Sequence, residues 1–346
     1  MAYDSSRDRV VKVGRFGETA EWDGMRWSLR SEGPVPYSMY GSYSVAYHEG
    51  INRTVWLDTP GCGGGRTFLW DGSQWVQNTS SPQPSWSPKM AYDRRAGHLV
   101  AWGGLAPLPG GGCQFDERTW LFNGQQWTSI ATPGPGNRRY PCLGYDESLE
   151  AVVLFGGDRF ISIDSDSWKW NGAAWERLLT TGGASPRYFA DLVYDRARQR
   201  LVLFSGISQP GGPPNQETWT LLRRYVTATP SAPPPGQTVV VSWTAPGEAN
   251  RFYALGASLG RVPGLPVGDG RIVPLNPDAM FLWSFLSQTP PFVGFAGRLS
   301  ASGTATATVQ IPLDSRLSGV RFFVAGATIA GSGLARVSNE ESIRIR

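Results

Sequence analysis

Short apolar runs recur along the first two-thirds of the chain, each bounded by turn-forming residues. They read Val10-Val11-Lys12-Val13, Thr54-Val55-Trp56-Leu57, Leu99-Val100-Ala101-Trp102, Val152-Val153-Leu154-Phe155 and Leu201-Val202-Leu203-Phe204. Runs this short, rich in β-branched and aromatic residues, predict strands. No stretch sustains a helical period over ten or more residues, and no apolar run approaches a membrane span. The pattern predicts an all-β protein.

The runs belong to a longer repeat. Each follows a Tyr-Asp element: Tyr3-Asp4, Tyr47-His48, Tyr92-Asp93, Tyr145-Asp146 and Tyr194-Asp195. Most are followed by an Asx-Gly pair and a tryptophan: Asp23-Gly24 with Trp27, Asp71-Gly72 with Trp75, Asn123-Gly124 with Trp127, and Asn171-Gly172 with Trp175. The tryptophans are spaced by 48, 52 and 48 residues, which suits four strands per unit. Asx-Gly predicts two-residue type I′ hairpins between third and fourth strands. The Asp of Tyr-Asp predicts a side-chain cap on the first turn. Paired glycines, Gly103-Gly104 and Gly156-Gly157, end the second strand where the chain bends. The recurring tryptophans are plugs for the wedge between neighbouring units.

This order of second-strand Gly-Gly and later Trp resembles the kelch repeat over residues 1–225. The resemblance implies a β-propeller of about five blades, the fold of the galactose oxidase central domain. Two units depart from it: Asp58-Thr59 replaces the glycine pair in the second, and no Asp-Gly turn follows Trp219 in the fifth. A ring needs a closing strand, which the fifth unit offers only ambiguously near Tyr225. Met1-Ala2-Tyr3-Asp4 matches the internal Met90-Ala91-Tyr92-Asp93, so the expectation is that an upstream segment carries the closing strand.

Beyond Tyr225 the composition changes. Residues 226–236 read as a stiff Pro-rich linker. Residues 237–346 carry β-rich runs at Val239–Trp243, Arg271–Leu275, Met280–Phe285, Ala305–Ile311, Val320–Ala325 and Ser342–Ile345, which predict an Ig-like or fibronectin-like β-sandwich. The tail resembles C-terminal domains of secreted bacterial proteins that also carry propeller repeats. That resemblance implies an extracellular or cell-envelope location.

Charge changes the picture little. The formal net charge is +4, but only three of the 32 basic residues are lysines (Lys12, Lys89, Lys169) and the arginines are scattered among acids. Such scatter argues against nucleic acid as a partner. With three cysteines, two histidines and no Cys-x-x-Cys pair, no metal or other cofactor is expected. A galactose oxidase-like copper site is not expected either, because His48 lies in a tight turn and His98 starts a second strand. Cys62 and Cys113 occupy equivalent loops of adjacent units and are candidates for a disulfide. Pairing of Cys142 with Cys113, or three free thiols, are the alternatives.

Function is expected where loops vary on a rigid scaffold. The second-to-third and fourth-to-first connections are long and share one face. Their candidates are Arg66, Gln114, Phe115, Asp116, Arg118, Asp158, Arg159 and Phe160, with Tyr40, Trp86, Arg138, Arg139, Tyr140, Arg187 and Tyr188 near the channel mouth. Arg and Tyr favour interfaces. The expectation is a monomeric, non-catalytic binding or scaffold protein for a protein or glycan ligand. The alternative is a glycan hydrolase using loop carboxylates such as Asp116, Asp158, Asp164 and Asp166. No phosphate-binding loop is placed between a strand and a helix.

Overall fold

The computed structural model describes residues 1–14, 17–31, 42–86, 88–178, 183–221, 225–245, 248–267, 271–286, 290–331 and 333–346. It is an all-β chain of antiparallel sheets, as the apolar pattern predicts. Two compact units divide it: Met1–Tyr194 with Leu201–Leu221, and Asp195–Arg200 with Leu222–Arg346.

The first unit contains five meandering sheets, one per sequence repeat. The first comprises Ala2–Asp4, Arg9–Val13, Thr19–Trp22 and Trp27–Ser31, and the second Ser42–His48, Arg53–Thr59, Arg66–Trp70 and Trp75–Asn78. The third comprises Lys89–Asp93, His98–Trp102, Thr119–Phe122 and Trp127–Ile130, with a small extra hairpin, Leu105–Pro107 and Cys113–Phe115, inserted in its loop. The fourth comprises Cys142–Asp146, Ala151–Phe155, Ser167–Trp170 and Trp175–Leu178. The fifth has three strands among the described residues: Asp191–Asp195, Arg200–Phe204 and Thr218–Leu221.

The turns show how the repeat works. The Asp4 carboxylate accepts from the amides of Ser6 and Arg7, Asp93 from Arg95 and Ala96, and Asp146 from Ser148 and Leu149. The Asx-Gly turns differ from the two-residue expectation. Trp22 pairs with Trp27, Trp70 with Trp75 and Trp170 with Trp175, so four residues form each loop. The Asx side chain accepts from the amides two and three residues on, as Asp71 does from Ser73 and Gln74. Only the glycine takes positive φ, for example +102° at Gly72. The side-chain cap makes the longer loop as well defined as the shorter one.

Tryptophans latch sheets two, three and four each to the one before it. The indole Nε1 of Trp75 donates to Thr19 Oγ1 at 2.7 Å, Trp127 to Thr67 at 2.9 Å, and Trp175 to Thr119 at 3.0 Å. Trp127 packs among Val55, Leu57, Leu99 and Ala101, and Trp175 among Val100, Trp102, Val152 and Leu154. Each buried ring contributes on the order of 2–3 kcal/mol of transfer free energy, and the hydrogen bond fixes its depth. The paired glycines exist for close approach as well as bending. A Cβ at Gly156 would lie 2.3 Å from the Arg187 carbonyl oxygen.

Among the described residues the second unit has two larger sheets around a shared core, and a short hairpin of Leu265–Pro266 and Ile272–Val273. Val226–Thr229, Thr238–Thr244, Thr304–Gln310 and Phe292–Val293 form one. Phe252–Ser258, Ala296–Arg298, Arg321–Ala330, Gly333–Val337 and Glu341–Arg344 form the other. Val239, Val241 and Trp243 meet Leu255, Ala257 and Val324 in that core. Two expectations are corrected. Val226–Thr229 is no linker, because it pairs with Val240–Trp243 as a strand. Met280–Phe285 is no strand, because Ala279–Leu286 is a helix. Asp278 initiates it, its carboxylate accepting from the Phe281 amide at 2.9 Å and its carbonyl from the Leu282 amide at 3.0 Å.

Candidate binding surface

The long connections of sheets three to five are knitted together by backbone bonds. The Gly104 amide donates to the Arg138 carbonyl and the Gly157 amide to the Arg187 carbonyl, both at 2.9 Å. Arg139 pairs with Asp158, and Tyr188 with Ile207. A disulfide joins Cys62 to Cys113, tying the corresponding loops of sheets two and three, while Cys142 is a buried free cysteine. Burial pushes the Cys142 thiol up to about 12, so it is no nucleophile at neutral pH.

Several residues expected to face a ligand are spent inside the protein. The Arg138 side chain is fully buried. Its Nη1 donates to the Gly156 carbonyl at 2.9 Å and to Asp166 Oδ1 at 2.7 Å, and its Nη2 donates to the Pro135 carbonyl. Arg187, also fully buried, repeats the arrangement one sheet on: Nη1 donates to the Ser205 carbonyl at 2.9 Å and Nη2 to Glu217 at 2.7 Å. Both are withdrawn as ligand contacts; they hold the loops in place. Arg66 is likewise committed, as a cross-strand partner of Asp58. Tyr40 lies outside the described residues.

The acidic candidates are engaged as well. Asp116 accepts from Arg118 Nε at 2.7 Å and Nη2 at 2.8 Å and from the Trp120 indole at 3.0 Å. Asp158 accepts from Arg139 Nε at 2.8 Å, and Asp164 from Arg159 Nε at 2.7 Å. Asp166 accepts from Arg138 and from the Trp168 indole at 2.7 Å. Burial pushes the Asp166 pKa up. The hydrogen bond and charge of Arg138, with Trp168 and Arg159, outweigh it and hold the carboxyl below its usual range.

What remains on the surface is a run of rings and guanidinium faces. Phe115 and Phe160 lie 5.1 Å apart, centroid to centroid, and Arg139 sits 4.1 Å over Phe160 and 5.3 Å over Tyr140. Tyr140 continues the run to Phe189 at 4.0 Å, which in turn meets Tyr188 at 5.1 Å. Tyr188 is buried and supports the others, whereas Phe160 is 53 % exposed, Phe189 46 % and Ile161 96 %. Three of these rings stand on a left-handed backbone: φ is +52° at Tyr140, +70° at Phe160 and +57° at Phe189. That conformation costs a non-glycine residue on the order of 1–3 kcal/mol. Phe189 and Ile161 were not among the sequence candidates. Aligning Arg187 with Arg138 would have revealed Phe189, because it then falls on Tyr140.

Histidine chemistry lies elsewhere. His48 is buried against Tyr92 and Phe122, with ring centroids 4.8 Å and 6.0 Å away. Among the described residues no group of three or more His, Cys, Asp or Glu side chains has a metal-holding arrangement. No helix among them is long and apolar enough to cross a membrane. No protein-family model matches the chain, and neither does any curated protein.

Proposed function

We propose that the five sheets are blades of a kelch-type β-propeller, that the second unit is an Ig-like β-sandwich, and that the protein is a secreted or envelope binding protein. Its ligand is a polypeptide, held on the long-loop face by Phe115, Phe160, Ile161, Phe189 and the guanidinium faces of Arg139 and Arg159. Recurrent four-strand meanders and the sheet-to-sheet tryptophan latches support the propeller reading.

One observation carries the functional reading. Large apolar side chains are kept exposed and contiguous, on strained backbone, where burial would have been the cheaper arrangement. Aromatic residues and arginine are the composition of protein-binding surfaces. A glycan could stack on the same rings, but the nearby carboxylates that would bind hydroxyls are already held by arginines. The same pairing weighs against hydrolysis, since a general acid needs a raised pKa and that of Asp166 is lowered.

The test is a combined peptide and glycan array probed with the purified full chain, with product detection on every glycan hit. The expected result is saturable peptide or protein ligands without turnover. Catalytic release of sugar would replace this reading with the hydrolase.

A further inference from the structure

A shallow groove of about 70 Å³ opens between the fourth and fifth sheets, lined by Val153, Phe155, Ser167, Leu201, Leu203 and Trp219 among others. Its position in the repeat identifies it. Trp127 fills the space between Val55 and Leu57 of one sheet and Leu99 and Ala101 of the next, with its indole on Thr67. Trp175 fills the next such space, between Val100 and Trp102 and Val152 and Leu154, with its indole on Thr119. One repeat further on, the matching residues are Val153 and Phe155, Leu201 and Leu203, with Ser167 in the threonine's place. The groove is the tryptophan slot of the fifth sheet. Among the described residues that sheet ends at Thr218–Leu221. Residues 222–224, which follow, carry no aromatic side chain.

We propose that this slot docks an extended segment of a partner polypeptide, which adds to the edge of Thr218–Leu221 and inserts a tryptophan whose indole donates to Ser167 Oγ. The three filled slots specify that chemistry: a ring for the apolar walls, one N–H donor for the hydroxyl, and a strand backbone for the edge. A second copy of this chain is a poor donor. Trp75, Trp127 and Trp175 are bonded within their own slots, and the strand of Trp27 is already paired with Thr19–Trp22. The site is distinct from the aromatic-arginine surface proposed above and stands or falls separately.

The probe is a synthetic peptide of residues 169–178, which carries the occupant of the neighbouring slot, titrated into the full chain by calorimetry and followed by hydrogen exchange. Saturable binding is expected, with slowed exchange in Thr218–Leu221. Trp175→Ala in the peptide should weaken binding at least about ten-fold, and Ser167→Ala in the protein about three-fold or more. Because the decisive substitution is in the peptide, the protein's folding is not at issue. No saturable binding, or equal binding of the alanine peptide, would overturn the proposal. So would slow exchange of Thr218–Leu221 in the peptide-free monomer, which would mean that the chain covers its own edge. Slow exchange that appears only with self-association would assign the slot to a second copy instead.

Discussion

Arg138 and Arg139 are adjacent in sequence and opposite in use. Arg138 is fully buried and neutralised by Asp166, whereas Arg139 reaches the surface over Phe160 and Tyr140. Removing one member of a buried pair strands the other, so Arg138→Met should cost about 3–5 kcal/mol in denaturant unfolding. Arg139→Ala should cost less, about 1–2 kcal/mol, because its partner Asp158 is buried while the Arg139 side chain is partly exposed. Equal costs would contradict the assignment. The sequence shows two arginines before a tyrosine but not which one turns inward, because that depends on the phase of the loop against Gly156. For the same reason the sequence does not show that Arg138 and Arg187 are buried while Phe160 is exposed.

Protonation follows the same logic. The folded-state pKa of Asp166 lies below its unfolded value, so its stabilisation is complete at neutral pH and is lost as pH falls below about 4. Burial lowers the pKa of His48 and His98, and their folded state resists protonation. Stability should therefore begin to fall already below about pH 6.5, where the unfolded histidines take up protons. Unfolding free energies measured at intervals between these limits should show both declines. A flat profile around pH 6 would rule out the histidine contribution.

At the scale of the element, the tryptophan latch is the device that turns a repeat into a stack. The same substitution at equivalent positions should have unequal effects. Trp127→Phe removes an indole bonded to Thr67 within a packed slot and should cost about 1–3 kcal/mol. Trp27→Phe should change stability by less than about 0.5 kcal/mol, since that ring is 47 % exposed. Thermal melts of the pair decide it. The strands were legible because apolar runs and Asx-Gly turns both mark them. The four-residue loop was not, since Asx-Gly reads alike whether the side chain caps the turn or the backbone closes it alone. Nor was the helix at Ala279–Leu286: its apolar run carries no polar face, and its start rests on Asp278, outside the run.

At the scale of the whole molecule, the Cys62–Cys113 disulfide closes a loop spanning 51 residues between loops of sheets two and three. Reduction should lower stability by about 2–4 kcal/mol, read as a shift of the unfolding midpoint in reductant. No shift would mean that the two loops hold together without the bond. Equivalent positions in adjacent repeats were enough to nominate the pair, though not to choose it over Cys142. The aromatic surface was only half visible, because it is assembled from four segments separated in sequence, and only folding brings Phe160 and Phe189 onto either side of Arg139 and Tyr140.

That surface is the centre of the account, and its removal is the direct test. The polypeptide ligand recovered from the array should be titrated against the native chain, the double variant Phe160→Ser with Phe189→Ser, and the control Leu313→Ser, which changes a side chain 89 % exposed in the other unit. The double variant is expected to keep its unfolding midpoint and lose at least about ten-fold in affinity, with the control unchanged. Undiminished binding by the folded double variant would contradict it.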